Sequence, residues 1–458
     1  MESNKMKNMP VPKLLLNMGI PSVLSLMFSA VYNIVDSIFV SHMTQNGEAA
    51  LTALALAYPA QILIVALSIG TGAGALALLS RGLGERNQEK VNLTAGNALF
   101  LGGVIYLACL FFGLFGVSAF IHSQTRNSLV AEMAVKYLKI NSILSFGIIF
   151  YTIVEKMLQA TGRTAFSTIV ATAGTITNLI LDPVLIYGIG KLPAMGIAGA
   201  AYATVAGQMI SLLLGVVFHV RLNKEIQNQW KNVRPSWDVI AAIYKIGIPA
   251  IISQALLSVM NYGLNIIFGG IGENVVTVYG LYYKIQQLML FAAFGMRDVV
   301  TPVVSFAYGM RKKERIREGM KYGILFTAIL MIGGTVLIEL FSGSITMLFG
   351  LAGETEKICI TALRVASLSF LFAGINVAYQ AIVQGLDGGS YSLLISICRQ
   401  FLFVLPLAWG FSWYAKREPG ALWLIWCTFL IAELVTVGIG TICIRKNWKQ
   451  VKEICEKI

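Results

Sequence analysis

This sequence is poor in charge. Asp, Glu, Lys and Arg make up 12% of 458 residues, hydrophobic residues make up 57%, and the mean hydropathy is +0.73, which excludes a soluble globular domain. Histidine is nearly absent. His42, His122 and His219 stand near the ends of apolar runs, and there is no HExxH helix, phosphate loop or nucleophile elbow, so the usual hydrolytic and phosphoryl-transfer machinery is missing. The chain is therefore expected not to be an enzyme and to need no cofactor. Its six cysteines (Cys109, Cys359, Cys398, Cys427, Cys443 and Cys455) form no CxxC pair and have no histidine at ligand spacing; they read as small apolar packing residues, with no structural metal expected.

What is abundant is apolar runs long enough to cross a bilayer, about 20 residues each. Twelve are expected, at 14–41, 51–79, 92–120, 129–155, 164–188, 195–219, 239–270, 275–308, 322–349, 358–384, 391–414 and 421–444. The first is too long for the core of a signal peptide and lacks an evident cleavage site, so it is expected to remain as a span. Lys and Arg cluster in alternate connections, as in "RGLGERNQEK", "VRLNKEIQNQWKNVRPSW" and "GMRKKERIREGMK", while "HMTQNGEAA" and "GGIGENVV" carry none. Because basic residues are retained on the cytoplasmic side, both termini are expected inside. The net charge of +13 then reflects topology and the lipid surface, not nucleic-acid binding.

The chain repeats itself. Gly19-Ile20-Pro21 aligns with Gly247-Ile248-Pro249, Asn33 with Asn261, Gln61 with Gln286, Gly70 with Gly295, Gln159 with Gln384, and Pro183 with Pro406. The reading is an all-α polytopic membrane protein of twelve transmembrane helices in two parallel six-helix repeats: an N-terminal lobe 1–219, a cytoplasmic linker 220–238, and a C-terminal lobe 239–458 with a basic tail. Two such halves are the usual apparatus of alternating access.

Where two halves share a scaffold, a chemical difference between equivalent positions points away from scaffolding. Asp36, inside the first span, falls on Leu264; in the fifth, Asp182 falls on Leu405 and Asn178 on Phe401. Asn178 and Asp182 are i and i+4, hence on one helix face about 6 Å apart along the axis. By helical rise Asp36 lies about 9 Å before His42 and Asp182 about 9 Å before Gly188, so the two acids are expected at one depth. An intramembrane carboxylate is costly unless neutralised, and two at one depth point to a shared proton or a bound cation. A structural hydrogen bond, or exposure near the outer end, is the alternative for Asp36. Pro183 is expected to bend its helix and free a carbonyl. Candidate residues of a substrate cavity are Asn33, Tyr151, Met157, Met260, Asn261, Tyr282, Lys284 and Met289, with plain packing as the alternative. Arg297 and Asp298, near Pro302, are expected to play a structural part, orienting their helix or forming ion pairs with Glu155 or Glu339; Arg399 and Glu433 have no assigned role.

Three segments together, "GIPSVLSLMFSAVYNIVDSIFVSHM", "NLILDPVLIYGIGKLPAMGIAGAAYATV" and "GIPAIISQALLSVMNYGLNIIFGGIG", resemble the multidrug and toxic compound extrusion (MATE) family over nearly the whole chain. The resemblance implies a V-shaped pair of lobes in a bacterial plasma (inner) membrane, exporting organic cations in exchange for protons or sodium. In the DinF-like branch it also implies a coupling site on an acid of the first helix and an Asn-x-x-x-Asp-Pro of the fifth, which map onto Asp36, Asn178 and Asp182. Pro21 resembles the proline at which the first helix bends in that branch, and Thr204 a hydroxyl that assists the site; possible sodium ligands are Asp36, Asn178 and Asp182. The NorM-like branch carries acids on helices seven and ten, and neither helix has one here. The expected partners are small amphipathic cations and the lipid bilayer, with the chain acting as a monomer. A lipid-linked oligosaccharide flippase is the alternative function.

Overall fold

The computed structural model describes residues 3–41, 43, 47–190, 193–227, 229–349, 351 and 353–456, and among these there are helices and turns but no strand. In hydrocarbon a helix satisfies its backbone N–H and C=O groups internally. The apolar runs fold accordingly, as ten helices long enough to cross a membrane and two bent helix pairs. In chain order the spans are 1 (Val11–Ser41), 2 (Gly47–Glu85), 3 (Gln88–His122), 4 (Ser128–Ile143 with Phe146–Ala160), 5 (Thr164–Tyr187) and 6 (Ile197–Leu222). The second half continues with 7 (Trp237–Gly269), 8 (Glu273–Gly309), 9 (Lys313–Leu348), 10 (Gly353–Ser367 with Phe370–Gly385), 11 (Gly389–Arg417) and 12 (Leu424–Glu456). Each coincides with an expected run. Several continue past it where the chain turns basic, as span 9 does from Lys313, because a helix that leaves the hydrocarbon keeps its ladder.

Spans 4 and 10 differ from the uninterrupted helices expected: they bend by 45° and 43°. Both breaks fall at the same tripeptide, Leu144-Ser145-Phe146 and Leu368-Ser369-Phe370. At the second, Ser369 Oγ donates to the Ala366 carbonyl at 2.6 Å and Ser367 Oγ to that of Arg364 at 2.9 Å. Hydroxyls bonded to the local backbone compete with the helical ladder and open it. The Ser367 carbonyl is taken up by Thr335 of span 9 at 3.0 Å. Pro21 and Pro183, by contrast, lie inside helices that continue without interruption.

The hairpins joining spans 2–3, 4–5, 8–9 and 10–11 close alike. Each has one residue at positive φ, Arg86 (56°), Gly162 (84°), Arg311 (56°) and Asp387 (61°), and a bond from the next amide back across the last turn, such as Arg163 N to Leu158 O at 2.9 Å.

The chain divides into two compact units, Met1–Met9 with Ile20–Ile251, and Pro10–Gly19 with Ile252–Ile458. The division departs from the boundary expected at 220–238, because the linker is part of the first unit. Arg163 donates to Asn223 Oδ1 at 2.8 Å and to Glu225 Oε1 at 3.0 Å, while the amides of Gln227 and Ser236 donate to Asn92 Oδ1 at 2.9 Å and Asn97 Oδ1 at 2.8 Å. The start of span 7 follows it into that unit: a Cβ on Gly70 would stand 2.7 Å from the Gly247 carbonyl oxygen, an approach only glycine allows. The core of the first unit includes Val40, Ala53, Tyr137, Leu138 and Ile186; that of the second is built on Leu264, Phe268, Tyr279, Tyr282, Phe370 and Trp426.

Candidate functional site

Within the first unit the two acids singled out by the repeat come together. Asp36 and Asp182 each stand five residues before the last described residue of their helices, Ser41 and Tyr187; His42 lies outside the described residues. Asp182 is fully buried; its Oδ1 accepts from Asn178 Nδ2 at 2.9 Å, one turn earlier on the same face. Its Oδ2 is buried without a hydrogen-bond partner, and so is Oδ1 of the half-buried Asp36. The two carboxyl groups lie within hydrogen-bonding reach of each other. Among the described residues no basic side chain pairs with either.

Glycine sets this geometry. Spans 5 and 6 touch backbone to backbone at Gly174 and Gly207: a Cβ on Gly174 would stand 2.6 Å from the Gly207 carbonyl oxygen, and one on Gly207 3.0 Å from Asn178 Cβ. Thr204, half-buried and one turn before Gly207, is in hydrogen-bonding reach of the Tyr32 hydroxyl. Tyr32 is itself one turn before Asp36 on span 1. Tyr137 of span 4 is buried and accepts from Gln61 Nε2 of span 2 at 3.2 Å, and both acids act on its hydroxyl electrostatically. Five spans thus meet around two carboxyls. Sequence reasoning missed Tyr32 and Tyr137, although each differs from its repeat partner, Met260 and Thr361.

At the equivalent positions of the second unit there is no such site. Leu264 is fully buried and Leu405 packs against the same apolar core, where a Cβ on Gly263 would meet Leu405 Cδ2 at 2.7 Å.

The candidate cavity residues are not brought together as a group. Met157 (0% exposed), Met260 (6%) and Tyr282 (0%) are core residues, which corrects their placement along a cavity: a side chain closed in by apolar neighbours has no surface for a solute. Tyr282 packs on Phe429 at 4.8 Å between ring centroids. Met289 packs against the same core, Tyr151 and Asn261 are half-buried, and the side chain of Asn33 lies outside the described residues. Lys284 is exposed and has no partner among the described residues. Arg297 meets Asp298 at 3.5 Å and lies over the Phe294 ring at 4.6 Å, while Glu339 faces Arg364 at 3.9 Å.

Up to twelve apolar spans in two repeats, with a polar cluster sealed among the helices of one, define a polytopic membrane transport protein. The MatE family model matches residues 21–184 and 249–409, and the chain belongs to that family. Among characterised relatives it is 23% identical over 430 residues to the multidrug export protein MepA of Staphylococcus saprophyticus, covering 92% of this chain and 90% of that one. It is 22% identical over 402 residues to the FAD transporter of Shewanella oneidensis, covering 87% and 88%. A crystal structure of a MATE protein in complex with MaL6 superposes with a TM-score of 0.92 at 24% identity, over 99% of this chain and 100% of that one.

Proposed function

We propose that the chain is a secondary active antiporter of the DinF-like branch, exporting amphipathic organic cations by alternating access in exchange for protons or sodium, and acting as a monomer without a cofactor. One observation carries the reading. Asp36 and Asp182 face each other with a buried, unpartnered oxygen on each and no basic partner among the described residues. Two carboxylates offer no donor to one another, so the arrangement calls for a proton or a small cation between them. Asn178 holds Asp182 in place, and the Leu179 carbonyl, freed by the missing N–H of Pro183, is a further oxygen on the same helix.

Exchange follows if ion and organic cation compete. An ion entering from outside neutralises the pair and weakens the hold on the cation; its departure inside restores the charge that attracts the next one. That cycle requires different ion affinities in the two access states. The expected setting is a bacterial plasma membrane with both termini in the cytoplasm. The name of the Shewanella relative favours a second reading, export of a flavin nucleotide, for which exposed Lys284 is a suitable anion contact. Efflux of ethidium, norfloxacin and FAD from vesicles under imposed pH and sodium gradients separates the two. The proposal expects gradient-driven export of ethidium and norfloxacin; transport that ignores both gradients contradicts it.

A further inference from the structure

The second unit holds a buried carboxylate of its own, and it is satisfied in the way the first unit's pair is not. Glu433 of span 12 and Arg399 of span 11 have side chains 7% and 4% exposed. Arg399 places Nη2 at 2.7 Å and Nε at 3.0 Å from Glu433 Oε1. Asn376 of span 10 donates to Glu433 Oε2 at 2.7 Å and to the Glu433 carbonyl at 2.9 Å, leaving its own Oδ1 buried and without a partner. Arg399 sits in a π-helical turn, Cys398–Leu402, closed by Phe403 N to Cys398 O at 3.1 Å. The wider turn buries three successive residues, Cys398, Arg399 and Gln400, which a regular helix on a bundle surface does not do. Among the described residues, Tyr282 of span 8 is a further ionisable group close to the pair.

The parallel with the first unit is close in chemistry and displaced in position. In each, an asparagine amide holds one carboxylate oxygen: Asn178 on Asp182, Asn376 on Glu433. In the first unit Asp182 Oδ2 and Asp36 Oδ1 are left without a partner; in the second, Arg399 takes the remaining oxygen of Glu433. By the register of Pro183 and Pro406, Arg399 falls on Ile176, and it lies six residues, about 9 Å, from Leu405, the counterpart of Asp182. Each unit therefore has one carboxylate device that the other lacks.

We propose that Arg399 is a built-in counter-ion. Its guanidinium permanently holds the place beside Glu433 that a mobile cation takes beside Asp36 and Asp182. The second unit then binds and releases no coupling ion, and Glu433 with Asn376 forms a latent monovalent-cation site that opens when Arg399 is removed. The contrast with the first unit rests on the ion-coupled reading above; the latent site stands on the geometry of the second unit alone.

Melting of the purified full-length chain tests it, with sodium or guanidinium raised at fixed ionic strength against a bulky organic cation. Arg399→Ala is expected to melt below wild type and to recover by several degrees as guanidinium or sodium fills the vacated place. Wild type and Arg399→Ala/Glu433→Gln are expected to show only the smaller, shared response of the intact Asp36 and Asp182 pair. A response of equal size in that double variant, or none in a folded Arg399→Ala, overturns the proposal. Should Arg399→Ala fail to fold, the volume-matched swap Arg399→Met/Glu433→Met decides. It is expected to fold, because an apolar pair can replace a buried ion pair, and to keep wild-type drug-induced ion release. Loss of that release in a folded swap overturns the inference. Absence of release from wild type removes the coupling reading instead and leaves the melting comparison standing.

Discussion

Asp36 and Asp182 are expected to act as one unit, because neither has another ionic partner among the described residues. Neutralising either, as Asp36→Asn or Asp182→Asn, should abolish gradient-coupled efflux while the protein still inserts and folds. Leu264→Met and Leu405→Met, at the equivalent apolar positions, should cost under about 1.5 kcal/mol and leave efflux intact, since volume is conserved. Equal losses in vesicle efflux at both sets of positions would show that the acids serve packing. Met157→Ala is expected to cost about 2–5 kcal/mol in a thermal or denaturant melt, as a core truncation does; a loss of drug affinity with unchanged stability would put Met157 back on a cavity wall. The acids were legible in the sequence because a carboxylate facing a leucine across a repeat has no scaffolding excuse. Tyr32 and Tyr137 were not, because a tyrosine in a membrane span is ordinarily packing, and only the fold shows which acids its hydroxyl approaches. Met157 and Tyr282 misled for the same reason: composition does not tell a soft cavity wall from a closed core.

Among the elements, the twelve spans were readable from hydropathy alone, and their breaks were not. Leu144-Ser145-Phe146 and Leu368-Ser369-Phe370 contain neither proline nor glycine, and at the second the serine hydroxyls turn onto their own backbone. Pro21 and Pro183, by contrast, sit in helices that run on through them without a break. Two substitutions test the packing that positions the site. Gly162→Ala forces a side chain into φ 84° and should lower stability by about 1–2 kcal/mol. Gly207→Val drives a side chain into the Gly174 carbonyl and Asn178 and should cost about 1–3 kcal/mol by overpacking. Because it also displaces Asn178, it should weaken ion coupling, which Gly162→Ala should not; the comparison is efflux in vesicles at matched protein content.

For the whole molecule, the repeat explains why two similar halves came to differ. On the proposed reading a shared scaffold needs only one ion-exchanging device, and the first half carries the Asp36 and Asp182 pair where the second presents leucines. The division into units was only partly legible. The linker read as a polar tether, yet Asn223, Gln227 and Ser236 are bonded to the helices before them, through partners far away in sequence. The inside placement of both termini is checked by single cysteines reacted with an impermeant thiol reagent on a background lacking the native cysteines. Asn274→Cys, in the first turn of span 8, should label in intact cells, and Gln229→Cys only after permeabilisation; the reverse pattern would invert the topology.

The central claim is that Asp36 and Asp182 carry the coupling ion. Its most direct measurement is drug-induced proton or sodium release from the purified protein, wild type against Asp36→Asn, with a thermal melt of each to establish folding. The account predicts release from wild type on adding ethidium or norfloxacin, and none from a folded Asp36→Asn protein that still binds the drug. Release of unchanged size and pH dependence from that variant would contradict it and leave Asp36 a structural polar residue.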